Sequence, residues 1–259
     1  MCLTMSFCSE WLTKIYEIIN RIEDSQYKNI ESAADAIAKS IISEHVCFLF
    51  GCGHSIIPVI EMYPRYGGVL GFMPILDLPL SYFTRLIGDL GFPQYDFLEN
   101  SEGYGKRIME NYDVHKEDSM VIFSHSGTSP LIVDVATSFK ERGGELIAVT
   151  SLAHSMKARP RHSSGKKLYE VADVVIDTCV PEGDVMISIP VENQKVGPGS
   201  TIGSVVVANL LTLKVIETLI KNGYKPLINP VRGYHPRADE IMKKVLSEYS
   251  KRFRNHIRR

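Results

Sequence analysis

The chain has 259 residues, 44% of them hydrophobic, and a formal net charge of −1; at this length roughly 70–75% of the unfolded surface is buried on folding, enough for one substantial core. The two signs of charge are mixed along the chain, so it lacks the extended basic face that non-specific nucleic-acid binding needs, and a nucleic-acid partner is not expected. Cys2, Cys8, Cys47, Cys52 and Cys179 show no C-x-x-C spacing, Met1 to Trp11 lacks the basic and apolar parts of a signal peptide, and no run of 18 apolar residues occurs, so the expectation is a cytoplasmic protein with reduced thiols and no membrane partner.

Residues 9–22 set Trp11, Leu12, Ile15, Ile18, Ile19 and Ile22 at three- and four-residue steps. Residues 28–42 repeat the pattern with Ile30, Ala33, Ala34, Ile37, Ile41 and Ile42, which predicts two amphipathic helices. Val46 to Phe50 is a short apolar run ended by Gly51-Cys52-Gly53-His54-Ser55 and followed by helix-compatible Ile56 to Met62, the grammar of strand, glycine turn and helix. Residues 63–118 are rich in Gly, Pro and aromatics and yield only a strand near Val69 to Leu76 and a helix near Tyr104 to Tyr112. The strand–turn–helix grammar then returns as Met120 to Phe123, Ser124-His125-Ser126-Gly127-Thr128-Ser129, and a helix from Pro130 to Lys140 with proline in its first turn. Leu146 to Val149 and Val174 to Ile176 add buried strands, Ser200 to Lys221 a long apolar helix, and Ala238 to Arg254 a polar amphipathic one. Alternating strands and helices imply an α/β fold with a parallel sheet covered on both faces. No linker-like stretch divides the chain, so one domain is expected, with opening helices over 1–44, a core over 46–235 and a C-terminal helix over 236–259.

Ligands of parallel α/β sheets bind beyond the carboxyl ends of the strands, where both turns lie. Gly51 and Gly53 let backbone N–H groups approach an anion, and His54 and Ser55 can donate to it or cap the turn. The second turn brings Ser124, Ser126, Thr128 and Ser129 around Gly127 at a helix start; one hydroxyl suffices for a cap, and four suggest a cradle for an oxygen-rich anion. Arg161-His162-Ser163-Ser164-Gly165-Lys166 reads either as a substrate-covering loop, with Arg161, Ser163 and Lys166 as contacts, or as a solvated mobile one. Glu61 is a candidate general base, or else forms an ordinary surface ion pair with Arg65 four residues on. His235 and His162 are candidate acid/base partners because imidazole titrates near neutrality; a helix-entry histidine is the plainer reading of His235. No His, Cys, Asp or Glu set has local metal-ligand spacing, so neither metal nor cofactor is expected. The basic tail Lys251 to Arg259 reads as a solvated helix end.

Gly-x-Gly-x-Ser after one strand and Ser-x-Ser-Gly-x-Ser after another resemble the two sugar-phosphate loops of SIS (sugar isomerase) domain proteins. The likeness extends to the phosphoheptose-isomerase-like branch through Glu61 to Arg65 with Gly67-Gly68, His154-Ser155, Arg161 to Lys166, Gly183-Asp184 and Gly197 to Thr201. This resemblance implies a three-layer α-β-α sandwich around a five-stranded parallel sheet, a homodimer or homotetramer, and a sugar phosphate held on Ser55, Ser124, Ser126, Thr128 and Ser129 near the subunit interface. Phosphoheptose isomerases carry a similarly ordered Glu and Arg on the first helix, at a different spacing from the loop. The function so implied is binding of a phosphorylated sugar with aldose–ketose isomerisation; the alternatives are a sugar-phosphate lyase or etherase, and a non-catalytic binding module.

Overall fold

The computed structural model describes residues 6–81, 91–191 and 193–258; Cys2 of the thiol set and Arg259 of the basic tail lie outside them. A single helix, α1 (Phe7–Ile42), takes the place of the two expected at the start. Ser6 caps it, its Oγ accepting the Ser9 N–H at 3.2 Å. The apparent gap from Glu23 to Tyr27 holds neither glycine nor proline, so nothing interrupts the helical ladder. Gln26 is buried there, and its Oε1 accepts the Asp177 N–H at 2.9 Å. A polar residue satisfied by a distant backbone group interrupts the apolar period without interrupting the helix.

The chain continues through β1 (Cys47–Gly51), a single 3-10 turn over Gly53–Ser55, α2 (Ile56–Met62), β2 (Phe72–Pro74), α3 (Leu78–Ser81), α4 (Gly91–Glu99) and α5 (Tyr104–Met109). Then follow β3 (Ser119–Phe123), α6 (Pro130–Lys140), β4 (Glu145–Thr150), α7 (Leu152–Ser155), α8 (Leu168–Val171) and β5 (Val174–Asp177). The chain ends with β6 (Val185–Ser188), β7 (Lys195–Pro198), α9 (Ser200–Lys221) and α10 (Ala238–Arg254).

Five strands form one parallel sheet in the order β2-β1-β3-β4-β5, and β6 pairs with β7 as a separate antiparallel hairpin. The central strands are buried on both faces, which is why they read as unbroken apolar runs. Leu49, Val121, Phe123, Ile147 and Val149 point into a core shared with α1, α2 and α9; Phe48, Phe50, Met120, Ile122 and Ala148 point into a second core shared with α5 and α6. This is the three-layer sandwich expected. By length and composition α9 could cross a membrane, yet Val207, Ala208, Leu211, Val215 and Leu219 lie in the core against α1. α10 is clamped by the buried Arg252, whose guanidinium donates to the carbonyls of Ile41 and His45 at 3.2 and 2.8 Å.

Candidate functional site

β1 and β3 are neighbours, but the chain leaves β1 for β2 on one side and β3 for β4 on the other. Their carboxyl ends therefore open into the crevice where α/β sheets of this order take ligands. Both turns singled out in the sequence sit there.

In the first turn, a Cβ on Gly51 would stand 2.2 Å from the Ser55 carbonyl oxygen, so only glycine lets the chain double back this tightly. Gly53, the exposed His54 and Ser55 form the 3-10 turn, and the Ser55 hydroxyl is not spent on capping α2. Tyr95 of α4 lies over Gly53, where an added Cβ would meet its phenol oxygen at 2.7 Å. Burial, then the neighbouring Cys52 and Glu99, push the Tyr95 hydroxyl well above its ordinary range, keeping it protonated.

In the second turn, Ser124 Oγ accepts the Gly127 N–H at 3.1 Å, and Ser126 Oγ accepts from the Thr128 N–H at 3.4 Å and the Thr128 hydroxyl at 3.2 Å. Gly127 holds φ at +61°, in the left-handed region, with Leu168 and Ser155 packed against it. Ser129 occupies the N-cap position of α6, fully buried, and its hydroxyl has no partner. The buried Lys167 ammonium ties down the turn after β4, donating to the carbonyls of Ser155 and Met156 at 2.7 and 3.2 Å. His125, between the two serines, has both ring nitrogens buried without a partner, and its ring is 4.8 Å from that of His154. Burial lowers its pKa, so it is neutral near pH 7.

Residues 161–166 close over this turn. The Arg161 N–H donates to the Thr128 carbonyl at 3.3 Å, while the Arg161 side chain reaches Asn100 Oδ1 at 2.8 Å and Glu99 at 3.6 Å. Ser163 gives both its N–H and its hydroxyl to Glu102 at 2.6 Å. His162 sits between Ser164 Oγ at 2.8 Å and Asp134 of α6 at 3.3 Å, and Lys166 is exposed. The loop is thus anchored by polar contacts to the segment running from α4 into α5. Tyr95, Glu99, Asn100 and Glu102 complete this wall, and sequence reasoning missed all four: they fall in the stretch whose periodicity is unreadable.

The other two predicted groups lie elsewhere. Glu61 and Arg65 pair at 3.3 Å in a cleft of about 200 Å³ between α2 and α9, where Asn209 Nδ2 approaches Glu61 at 3.5 Å. No residue of either turn lines that cleft. His235 is exposed ahead of α10; its Nδ1 accepts the Arg237 N–H at 3.1 Å, and the clefts it borders contain no residue of either turn.

The SIS domain model matches residues 10–151. UPF0309 proteins of Thermoanaerobacter pseudethanolicus and Caldanaerobacter subterraneus are 33% and 34% identical to this chain, each match covering 95% of it and 98% of the relative. Among solved structures, the phosphoheptose isomerase of Neisseria gonorrhoeae superposes with a TM-score of 0.53 at 14% identity, covering 81% of this chain and 97% of its own. That of Francisella tularensis gives 0.54 at 13%, covering 81% and 96%. At such identities the likeness is one of fold.

Proposed function

The chain belongs to the SIS domain family, and from that premise we propose that it acts as a single cytoplasmic domain that binds a phosphorylated sugar at the crevice between β1 and β3 and interconverts its aldose and ketose forms. The observation that carries the binding is the turn before α6. Its hydroxyls and N–H groups converge at a helix N-terminus, and the Ser129 hydroxyl is buried with no protein partner. Such a site stabilises an oxygen-rich anion through neutral donors and the helix dipole. The loop over 161–166 is tied to this turn by the Arg161 N–H on the Thr128 carbonyl, with the Arg161 guanidinium held at the rim by Asn100 and Glu99.

Isomerisation requires a base that removes the C2 proton to give an enediol, then returns a proton to C1, while a polar group steadies the developing oxyanion. Glu61 is the carboxylate assigned to this step, with His162 or His235 moving the hydroxyl proton. One observation favours a second reading, binding without turnover: Glu61 is paired with Arg65 in a cleft that shares no residue with the two turns.

The deciding experiment has two stages. Melting shifts against a panel of sugar phosphates identify the ligand, since a ligand at 100 times its Kd adds about 2.7 kcal/mol. NMR then follows exchange of the ligand's C2 hydrogen with deuterated solvent. The expected result is catalysed exchange that Glu61→Gln slows by ~10²–10⁴-fold with little change in affinity. Binding without exchange selects the second reading, and no shift with any phosphorylated sugar overturns the proposal.

A further inference from the structure

At the end of the sheet opposite the two turns, three histidines and an aspartate converge from segments far apart in sequence. His45 stands just before β1, His115 and Asp118 just before β3, and His256 just after α10. Asp118 is buried, and the backbone aims its carboxylate: Oδ1 accepts the Val46 N–H at 3.1 Å and Oδ2 the His115 N–H at 2.7 Å. His256 is also buried. Its Nδ1–H donates to the Arg252 carbonyl at 2.7 Å and its Nε2–H to Asp118 Oδ1 at 3.0 Å, so a metal ion bound at Nε2 would take the place of that proton. His45 Nδ1 lies 3.3 Å from the same oxygen, buried, without a hydrogen-bond partner.

We propose that His45 Nδ1, Asp118 Oδ1 and His256 Nε2 form a binding site for a borderline divalent metal ion such as Zn²⁺. These three atoms lie within 4.8 Å of one another. Tetrahedral zinc with bonds of about 2.0–2.2 Å needs ligand atoms roughly 3.3–3.6 Å apart, so small side-chain adjustments close the set. Two imidazoles and one carboxylate suit zinc and its neighbours rather than magnesium or calcium. The Arg252 carbonyl on His256 Nδ1 and the two backbone N–H groups on Asp118 are the outer contacts that hold metal ligands in place.

The fourth position faces a cleft of about 480 Å³ bordered by Ser43, Glu44 and His115, open to water or a small ligand. The His115 ring is 5.3 Å from those of both His45 and His256, within reach of that position after a rotamer change. Arg252 also borders the cleft, but its guanidinium is engaged with the carbonyls of Ile41 and His45, and the Glu117 carboxylate, 4.0 Å from His45 Nε2, offsets part of its charge. Asp118 and His256 are 138 residues apart, so local spacing gives no sign of the set. A cation here links the entries to β1 and β3 with the segment after α10.

The test uses the full chain carrying Cys2→Ser and Cys8→Ser; Cys8 is the exposed thiol among the described residues, and removing both leaves no N-terminal thiol to compete for the metal. After treatment with EDTA and dialysis it is titrated with ZnCl₂ by calorimetry and with CoCl₂ by visible absorption. The expected result is one equivalent bound, a melting temperature raised by Zn²⁺, and Co²⁺ ligand-field bands of four- or five-coordinate intensity. His45→Ala keeps the Asp118–His256 hydrogen bond; it should weaken Zn²⁺ by about tenfold or more and reduce the thermal shift accordingly. His45→Gln, closer in size, serves if the alanine variant does not fold. Absence of saturable binding by the parent, or equal affinity in the His45 variants, overturns the proposal. Anomalous scattering at the zinc edge from crystals grown with the metal must place the ion between these three side chains; an ion elsewhere also overturns it.

Discussion

A serine hydroxyl that accepts hydrogen bonds from its own loop keeps a proton to donate, and Ser124 and Ser126 are both so placed. With Ser129 unpartnered, the turn before α6 offers several donors that only an external acceptor can use together. Ser126→Ala should therefore weaken sugar-phosphate binding by about 1.5–3 kcal/mol, the worth of a hydrogen bond to a charged group, and Thr128→Ala by less, because the Thr128 hydroxyl already gives its proton to Ser126, while the fold stays intact in both. Calorimetry on both variants checks this, and unchanged affinity in both removes the cradle. His125 adds a pH signature. Burial lowers its pKa below 6.5, so the unfolded chain takes up a proton that the folded chain resists. Its stabilising effect is present above the unfolded value and lost as pH falls from about 6.5 toward the lower folded value. Melts at about pH 7.5 and about pH 5.5 should show a smaller acid loss in His125→Gln than in the parent. Equal losses would mean that other groups set the acid slope.

At the scale of elements, the position of the turn before α6 depends on how closely α5 and α6 pack. A Cβ on Gly105 would fall 2.5 Å from the Leu131 carbonyl oxygen and 2.6 Å from Asp134 Cβ, both on α6. Gly105→Ala should thus cost about 1–3 kcal/mol in urea unfolding through overpacking and shift the binding turn. Nothing in the sequence singled out Gly105, because its constraint is a contact with another helix. The same distinction separates what was legible from what was not. β1, β3 and β4 announce themselves as apolar runs because both faces are buried, and α6 because Pro130 and the hydroxyl cluster mark its start. The β6–β7 hairpin was missed: its strands are short and partly exposed, and β7 contains Gly197 and Pro198. The two turns were found because their chemistry lies within a few consecutive residues. The anchoring of Arg161 and Ser163 by Asn100 and Glu102 was not, since it exists only once segments 61 residues apart meet.

For the whole molecule, the cleft between α2 and α9 bears on assembly. Leu213 and Ile220 of α9 are 59% and 60% exposed, and Ile57 and Ile60 of α2 are exposed beside the Glu61–Arg65 pair. The homodimer expected from the sequence can be tested on this face, because a two-fold interface must be self-complementary. Of these exposed apolar side chains only Leu213 lines the cleft itself, beside one acid and one base, and if two copies met here across a two-fold axis each Glu61 could pair with the other copy's Arg65. Such pairing would also place the candidate base at a subunit boundary, where the chemistry assigned to it would be completed by two chains. The expected mass in light scattering is a dimer or a multiple of it, stable to dilution across the micromolar range. Leu213→Asp with Ile57→Asp should yield a monomer, since each buries a carboxylate in the interface and leaves the monomer's own core untouched. If the parent is monomeric at all concentrations, Glu61 must act within one chain or not at all. If the parent is dimeric and the double variant remains so, the subunits meet elsewhere. In the expected case, sugar-phosphate binding by the monomeric variant decides whether the turns before α2 and α6 suffice for binding, and loss of C2 exchange in that variant ties turnover to the assembled pair.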